Sequence, residues 1–391
     1  MKKIVSLIAL LAIFFSFGLY VFANSEAKNE AVLTSQAQNA TEINANSAVL
    51  MEADTGKILL EKNLDDKAPL ASVTKIMTLL LVMEAINDGR ISVSDNIRIS
   101  DYASSMGGSQ VFLEEGEQMS VEELVKCTVI ASANDAAVAL AEHIAGREKL
   151  FVQMMNTRAK ELGMKNTNFE NVTGLDDTAL NHYSSARDIA IMSRELIKYD
   201  LIKKYSSLWQ DSIRGGEFVL TNTNRLVRYY DGCNGLKTGS TDKAGFCISA
   251  TAERDGMQLI AVIMGAKTRD IRNAEARSML DYGFSNYAVY SADEKALENT
   301  PVYKGTKDSA VLYSEKFSCI VPKNKIKSVE IIYDIPKSLS APINSGSSVG
   351  KVTYMLDGEE LGTSDIFVSE DIPKISFFKI FSKIIKSIFI C

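Results

Sequence analysis

The chain has 391 residues, of which 46% are hydrophobic and 24% charged, a composition that suits two globular domains with short appendages. A net charge of −6 argues against a nucleic-acid partner. The only histidines, His143 and His182, stand outside any metal-binding pattern, and the five cysteines form no CxxC pair. We therefore expect no metal, no other cofactor and no disulfide framework.

The N-terminus has the pattern of an export signal. Met1-Lys2-Lys3 precedes an almost uninterrupted apolar run that ends in Val21-Phe22-Ala23, where a signal peptidase reads small residues. We expect residues 1–23 to be a cleaved signal peptide. An uncleaved membrane anchor is the alternative, because about 20 apolar residues can also span a bilayer. Residues 24–45 lack hydrophobic periodicity and predict a flexible tether.

A hairpin and a helix follow the tether. Ser47–Met51 and Ile58–Glu61 predict two strands joined by a turn. Pro69 and small residues then precede a long apolar run, so Ser72 should lie in the first helical turn with Lys75 beside it. A lysine with a depressed pKa can activate a serine hydroxyl as a nucleophile. The alternative is a helix N-terminus with an exposed lysine.

A second short motif, Ser132-Ala133-Asn134, lies at a break between two predicted helices. Periodic apolar residues from Val121 to His143 predict this helix pair, with the break at Ala131–Asp135. Ordinary helix capping by Ser and Asn is the alternative to a catalytic role. His182 is predicted to be a polar loop residue without a catalytic task. The remaining predictions are helices over Phe151–Leu162, Ser185–Lys198 and Ala274–Phe284, and short strands around Val219-Leu220 and Leu226-Val227.

A third motif, Lys237-Thr238-Gly239, is predicted on a strand beside a hairpin. The hairpin strands cover residues 245–252 and 258–265. An edge-strand lysine next to a turn glycine is the alternative interpretation of the motif. Cys233 and Cys247 flank it and could approach one another, but two small buried residues are the favoured interpretation.

The composition changes near residue 287. Short alternating strands with Gly and Pro turns predict a small all-β domain over residues 287–371, after a first domain over 46–286. Residues 372–391 predict an amphipathic helix with Phe on one side and Lys on the other. This helix is too short and too rich in lysine to span a membrane, so we expect it to lie in the interface. Docking on the protein's own core is the alternative.

The order and spacing of the three motifs resemble one known active site. They match the pattern of penicillin-binding proteins and serine β-lactamases: Ser72-x-x-Lys75, Ser132-x-Asn134 and Lys237-Thr238-Gly239. Further segments narrow the resemblance to the low-molecular-mass D-alanyl-D-alanine carboxypeptidases, peptidase family S11, over about residues 46–370: Gly107–Leu113, Thr173–Asp177 and Asp231–Gly239. Ala133 and Ser240 depart from the glycine and histidine that many members carry.

The resemblance implies the fold class α+β. A β-lactamase/transpeptidase-like domain, with an antiparallel five-stranded sheet flanked by helices, would precede the small all-β domain and the C-terminal amphipathic helix. It implies a serine carboxypeptidase that removes the terminal D-alanine from peptidoglycan stem peptides through an acyl-enzyme, with β-lactam antibiotics as acylating inhibitors. The expected location is the outer face of the cytoplasmic membrane, where the C-terminal helix attaches the enzyme peripherally.

The resemblance also assigns catalytic roles. Ser72 is the nucleophile, Lys75 is the base for acylation, and Ser132 relays a proton between Lys75 and the leaving amine. The backbone N–H groups of Ser72 and Ser240 are the expected oxyanion hole. The expected substrate-binding residues are Asn134, Lys237, Thr238, Gly239 and Ser240.

Three of these residues have specific binding tasks. Asn134 is expected to hydrogen-bond both Lys75 and the substrate amide. Lys237 supplies a positive charge for the terminal carboxylate, and Thr238 adds a hydroxyl donor. Lys237 should also lower the pKa of Lys75 by like-charge repulsion.

Three other functions fit parts of the pattern. A secreted serine β-lactamase must deacylate penicillin quickly, and no glutamate has an obvious place for that, because Glu170 falls in a predicted strand. A catalytically idle wall- or membrane-binding protein has no physical reason to keep five cooperating groups. A D,D-endopeptidase would use the same groups on the same type of bond.

Overall fold

The computed structural model describes residues 42–176, 179–377 and 379–381. The expected signal peptide, most of the tether and most of the C-terminal amphipathic helix lie outside the described residues. The chain divides after Asn286 into two compact units. In the part of the chain that is described, no helix is both long and apolar enough to cross a bilayer.

The first unit contains helices and antiparallel strands. Its strands are β1 (Ser47–Glu52), β2 (Ile58–Lys62), β3 (Asn96–Arg98), β4 (Gln118–Ser120), β5 (Gln210–Ile213), β6 (Phe218–Thr221), β7 (Cys233–Thr241), β8 (Gly245–Arg254) and β9 (Met257–Ala266). Its α-helices are α1 (Lys75–Asn87), α2 (Asp101–Ser104), α3 (Val121–Lys126), α4 (Asn134–Ala145), α5 (Glu148–Glu161), α6 (Ala186–Leu196), α7 (Asp200–Ser206), α8 (Leu226–Tyr229) and α9 (Arg269–Asn286). Shorter 3₁₀ turns occur at Ala71–Thr74 and Arg214–Gly216, and a π-helical turn at Cys127–Ala131.

The central sheet has five strands in the order β2-β1-β9-β8-β7, and all neighbouring pairs are antiparallel. Successive side chains of a strand point to opposite faces. Val49 of β1 belongs to the same buried cluster as Ile189 of α6, whereas Leu50 lies against Gly283 of α9. Helices therefore cover both faces, as the resemblance implied.

The second unit is built almost entirely of strands. These are β10 (Tyr287–Ala292), β11 (Lys295–Ala296), β12 (Thr300–Tyr303), β13 (Ser309–Ala310), β14 (Leu312–Ser314), β15 (Phe317–Pro322), β16 (Glu330–Asp334), β17 (Leu339–Ser340), β18 (Ser348–Leu356) and β19 (Glu359–Val368). They form a five-stranded sheet in the order β11-β14-β19-β18-β16, a three-stranded sheet, and the pair β10-β15. A helix-and-sheet unit followed by an all-β unit confirms the α+β class.

Several predicted elements of the first unit are observed with shifted limits. The break in the helix pair is present, because the π-helical turn ends at Ala131 and α4 begins at Asn134. The final helix begins at Arg269, five residues earlier than predicted. The hydroxyl of Thr268 accepts a hydrogen bond from the N–H of Ile271 at 3.2 Å, which satisfies a free donor of its first turn.

Two strand predictions were wrong. Leu226 and Val227 lie in α8 rather than in a strand, because the side chain of Asn224 accepts from the Leu226 N–H at 3.1 Å and starts a helical turn. Glu170 lies outside any strand. The only pairing nearby is an isolated bridge, within the described residues, between Asn168 and Tyr183.

Candidate active site

Ser72 lies in the 3₁₀ turn that runs directly into α1. Residues three apart in a helical turn share one face. The side-chain nitrogen Nζ of Lys75 accordingly lies 2.8 Å from Ser72 Oγ. The residue before the serine, Ala71, has a φ of +49°, an uncommon conformation for a residue with a Cβ. Such backbone strain is kept where the surrounding structure imposes it, as at functional sites.

Lys75 is fully buried and has a second partner that the sequence interpretation missed. Its Nζ donates to the backbone carbonyl of Thr173 at 2.9 Å. The loop carrying Thr173 lies directly on the serine turn, since a Cβ at Gly174 would come within 1.8 Å of the Ala71 carbonyl oxygen. In the sequence, Thr173 and Gly174 are recognisable only as part of a family motif. The glycine is the one sign that another backbone approaches closely at this position.

The surroundings of Lys75 favour its neutral form. Burial lowers the pKa of Lys75 well below its usual value, and the nearby charge of Lys237 lowers it further, while Asp135 acts in the opposite direction. The neutral amine has a lone pair that can accept the proton of the Ser72 hydroxyl. The expected effect of Lys237 on Lys75 is therefore present.

Ser132 has the left-handed backbone conformation, with a φ of +64°, at the end of the π-helical turn. Its Oγ accepts a hydrogen bond from Lys237 Nζ at 2.7 Å, so its observed partner is the second lysine rather than Lys75. Ala133, where many family members carry glycine, has a φ of −61°. That conformation needs no glycine.

Asn134 begins α4 and is buried. Its Nδ2 donates to the carbonyl of Gly107 at 2.7 Å, and its Oδ1 has no hydrogen-bond partner within the described ranges. The predicted bond from Asn134 to Lys75 is not formed among the described residues, and the amide of Asn134 bonds the Gly107 carbonyl instead. The free Oδ1 is an unused acceptor at the site.

Lys237 extends from β7, the edge strand of the sheet, and is buried. Besides the bond to Ser132, its Nζ donates to the carbonyl of Thr238 at 2.8 Å. Burial and the neighbouring charge of Arg272 lower the pKa of Lys237 to about 7. Burial therefore lowers the pKa of both lysines at this site.

The groove beside Ser72 has a volume of about 440 Å³. Its lining includes Ser72 and Ser132 and, from β7, Thr238, Gly239 and Ser240. The further lining residues, which the motifs did not indicate, include Trp209, Thr223, Arg225, Arg269 and Arg272. Thr238 Oγ1 donates a hydrogen bond to Thr223 Oγ1 at 2.8 Å. The tertiary structure thus adds cationic and polar groups to the lining of the groove.

His182 is buried and hydrogen-bonded through both ring nitrogens. Its Nδ1 accepts from the N–H of Glu170 at 3.0 Å, so its Nε2 carries the proton and donates to Thr74 Oγ1 at 2.7 Å. Burial lowers the pKa of His182 to about 4.

The two cysteines that flank the third motif lie on neighbouring strands. Cys247 lies opposite Gly239 in the sheet and Cys233 lies opposite Ala252. No cluster of metal-ligating side chains occurs in the part of the chain that the structure describes.

The α+β fold and a serine hydrogen-bonded to a buried lysine indicate a serine hydrolase. Residues 33–268 match the family model described as D-alanyl-D-alanine carboxypeptidase, and residues 284–374 match the penicillin-binding protein 5 C-terminal domain. The chain therefore belongs to the D-alanyl-D-alanine carboxypeptidase family. It is a serine-type carboxypeptidase.

Individual relatives agree with this assignment. The chain is 42% identical to the D-alanyl-D-alanine carboxypeptidase DacF of Bacillus subtilis over 96% of each chain. It is 35% identical, with a TM-score of 0.73, to penicillin-binding protein 5 from Haemophilus influenzae, over 85% of this chain and 98% of that one. An ampicillin-bound penicillin-binding protein D2 from Listeria monocytogenes is 31% identical, with a TM-score of 0.58, over 62% and 98%. These likenesses do not favour the three alternative functions.

Proposed function

We propose that this carboxypeptidase removes the terminal D-alanine from peptidoglycan stem peptides through an acyl-enzyme on Ser72. The observation that carries the proposal is the 2.8 Å contact between Ser72 Oγ and the Nζ of a fully buried Lys75. A serine hydroxyl is a weak nucleophile at neutral pH and needs an adjacent base. Burial keeps Lys75 in the form that can be that base.

Acylation proceeds by attack of Ser72 Oγ on the carbonyl carbon of the penultimate D-alanine while Lys75 takes the hydroxyl proton. The N–H groups of Ser72 and Ser240 stabilise the oxyanion, each by about 3 kcal/mol in related acyl transfers. Ser132 passes a proton to the leaving nitrogen, the C–N bond breaks, and D-alanine departs. Water then hydrolyses the ester and restores the Ser72 hydroxyl.

The remaining motif residues bind the substrate. Lys237, charged below its pKa of about 7, attracts the terminal carboxylate, and the Thr238 hydroxyl, which otherwise donates to Thr223, turns its proton to that carboxylate. Gly239 allows the edge strand to approach the serine turn. The buried, unpartnered Oδ1 of Asn134 is suited to accept an amide N–H of the stem peptide.

Binding of β-lactam antibiotics follows from the same chemistry. A β-lactam carries a carboxylate and a reactive amide, so it is expected to place its carboxylate near Lys237 and Thr238 and to acylate Ser72. The ester is expected to persist, because no additional base for rapid hydrolysis of penicillin is placed by the motif residues.

We further propose that the enzyme is exported and lies on the outer face of the cytoplasmic membrane. The predicted signal peptide over residues 1–23, the tether, and the amphipathic pattern of residues 372–391 support this location. The first turn of the last segment is partly described, and Ile380 and Phe381 are 40% and 58% exposed. An interfacial helix buries such side chains between lipid headgroups.

Mass spectrometry tests the chemistry. The purified chain is treated with benzylpenicillin and, separately, with a tripeptide that ends in D-Ala-D-Ala, and Ser72→Ala is the matched control. A persistent adduct on Ser72 and release of D-alanine are expected only from the unsubstituted chain. Rapid turnover of penicillin without D-alanine release would instead identify a β-lactamase.

A further inference from the structure

We propose that residues 303–307, here called the root loop, are a second membrane-docking element of the all-β unit and bind anionic lipid headgroups. The inference rests on the proposed function, because it takes the C-terminal helix to be the membrane anchor. It concerns a part of the chain outside the motifs and outside the groove. Its evidence is the hydrogen bonding that joins the loop to the base of that helix.

The root loop is hydrogen-bonded to the segment that leads into the helix. The N–H of Thr306 donates to the carbonyl of Pro373 at 2.9 Å, and the N–H of Ile375 donates to the carbonyl of Lys304 at 2.8 Å. These two bonds lie on either side of an isolated bridge between loop and segment. The loop therefore keeps a fixed position next to the residue at which the helix begins.

The helical turn starts immediately after this pairing. The carbonyl of Ser376 accepts hydrogen bonds from the N–H groups of Lys379 at 3.0 Å and Ile380 at 3.1 Å. An interfacial helix lies about 5–10 Å into the boundary between headgroups and acyl chains. A loop held one residue before its first turn must then reach the headgroup layer as well.

Close packing holds the root loop against the core of its own unit. A Cβ at Gly305 would lie 2.8 Å from Val302 Cγ1 and 3.0 Å from Ile372 Cγ2. Both of those side chains are buried in the hydrophobic core of the second unit. The root loop is therefore packed directly on the hydrophobic core of the all-β unit.

The side chains of the root loop have the chemistry of a membrane interface. Tyr303 is 64% exposed, and an aromatic ring with a polar end is favoured at headgroup level. Lys304 and Lys374 are exposed, and no ion pair involves either of them within residues 287–377. Lys307 is already paired with Glu370. Two uncompensated lysines beside an exposed tyrosine favour an anionic bilayer over a neutral one.

The test measures partitioning of the full chain onto vesicles of phosphatidylethanolamine with phosphatidylglycerol, and onto vesicles of phosphatidylcholine alone. The root-loop variant is Tyr303→Ser with Lys304→Asn, because asparagine tolerates the φ of +57° at position 304. We expect its partition coefficient on the anionic vesicles to fall at least about fivefold. The matched control, Tyr333→Ser with Lys351→Gln on strands β16 and β18, should bind as the unsubstituted chain does.

A helix variant separates this inference from the anchor proposal. If Ile380→Asp with Phe381→Asp abolishes binding while the root-loop variant binds normally, the root-loop inference is overturned and the anchor proposal stands. If the helix variant binds normally, both are overturned. Release of D-alanine from a soluble peptide should be equal in all these variants, because none of them changes the groove.

Depth-dependent fluorescence gives an independent readout. Tyr303→Trp and Tyr333→Trp each add one tryptophan to the native Trp209, so any difference between them belongs to the added residue. On vesicles that contain brominated lipids, the Tyr303→Trp protein should be quenched more strongly. Equal quenching of the two proteins would show that the loop does not enter the interface.

Discussion

A Cβ on Gly239 of β7 would lie 2.7 Å from the backbone nitrogen of Ser72, closer than real Cβ contacts allow. The edge strand and the serine turn are therefore packed backbone to backbone. This contact brings position 239, and with it the neighbouring Ser240, next to the backbone of the serine turn. Any side chain at position 239 must separate the strand from the turn.

We expect Gly239→Ala to reduce acylation of Ser72 by benzylpenicillin by about 10²-fold or more, because one displaced oxyanion donor has an effect of that size. Mass spectrometry of the adduct against time measures the rate. Gly256→Ala, in the turn between β8 and β9 with nothing within 4 Å, is the control and should react normally. Normal acylation of Gly239→Ala would show that the reaction does not depend on the close contact between β7 and the serine turn.

The second prediction concerns the base. Lys75→Met keeps the length and apolar stem of the side chain and removes the amine. The acylation rate should fall by about 10²- to 10⁴-fold, the usual contribution of a positioned general base. Stopped-flow acylation with a chromogenic β-lactam measures this rate, and Lys149→Met on the exposed face of α5 is the control. A fall of less than tenfold would exclude Lys75 as the base.

The third prediction is that kcat/KM falls as the pH rises through about 7, which gives the pH profile a falling limb. Lys237 has a lowered pKa of about 7, so it is charged below that pH and loses its charge as the pH rises. Its attraction for the substrate carboxylate is lost in the same range. The pH profile of kcat/KM for a D-Ala-D-Ala peptide reports the ionisation of the free enzyme.

Lys237→Arg tests the assignment of that limb. Arginine keeps its charge at high pH, so the falling limb should move to higher pH even if the maximum rate is reduced. A peptide whose C-terminus is amidated lacks the carboxylate and should show a weaker limb with the unsubstituted enzyme. An unchanged limb in Lys237→Arg would assign it to another group.

The fourth prediction is a stability change caused by His182. Its folded pKa of about 4 is below the ordinary 6.5, so the unfolded chain binds the proton more tightly and stability falls as the pH drops from 6.5 towards 4. The full shift corresponds to about 3 kcal/mol in the free energy of unfolding. His182→Gln retains a hydrogen-bond donor and an acceptor but does not titrate. Its free energy of unfolding should therefore fall less than that of the unsubstituted chain between pH 6.5 and 4. Urea unfolding followed by the fluorescence of Trp209, which lies in the first unit, measures the difference.

The local features of the site were predictable from the sequence because they depend on residues close together in the chain. Three residues of separation in a helical turn place Ser72 and Lys75 side by side. Alternating and continuous apolar runs predicted the hairpin strands, and the break in the helix pair placed Ser132 at a turn. The fold class, and the expectation that the three motifs meet in one groove, came from the family resemblance that their joint spacing carries.

The partners of those residues were decided by the tertiary structure. Lys75 bonds the carbonyl of Thr173 where Asn134 was expected, and Ser132 bonds Lys237, because packing of distant segments selects among several possible donors and acceptors. Thr173 contributes through its backbone, so its side-chain identity gave no sign of this contact. A sequence determines which elements form through local periodicity, but burial and hydrogen-bond partners depend on how those elements pack, and packing determines the pKa values that the chemistry needs.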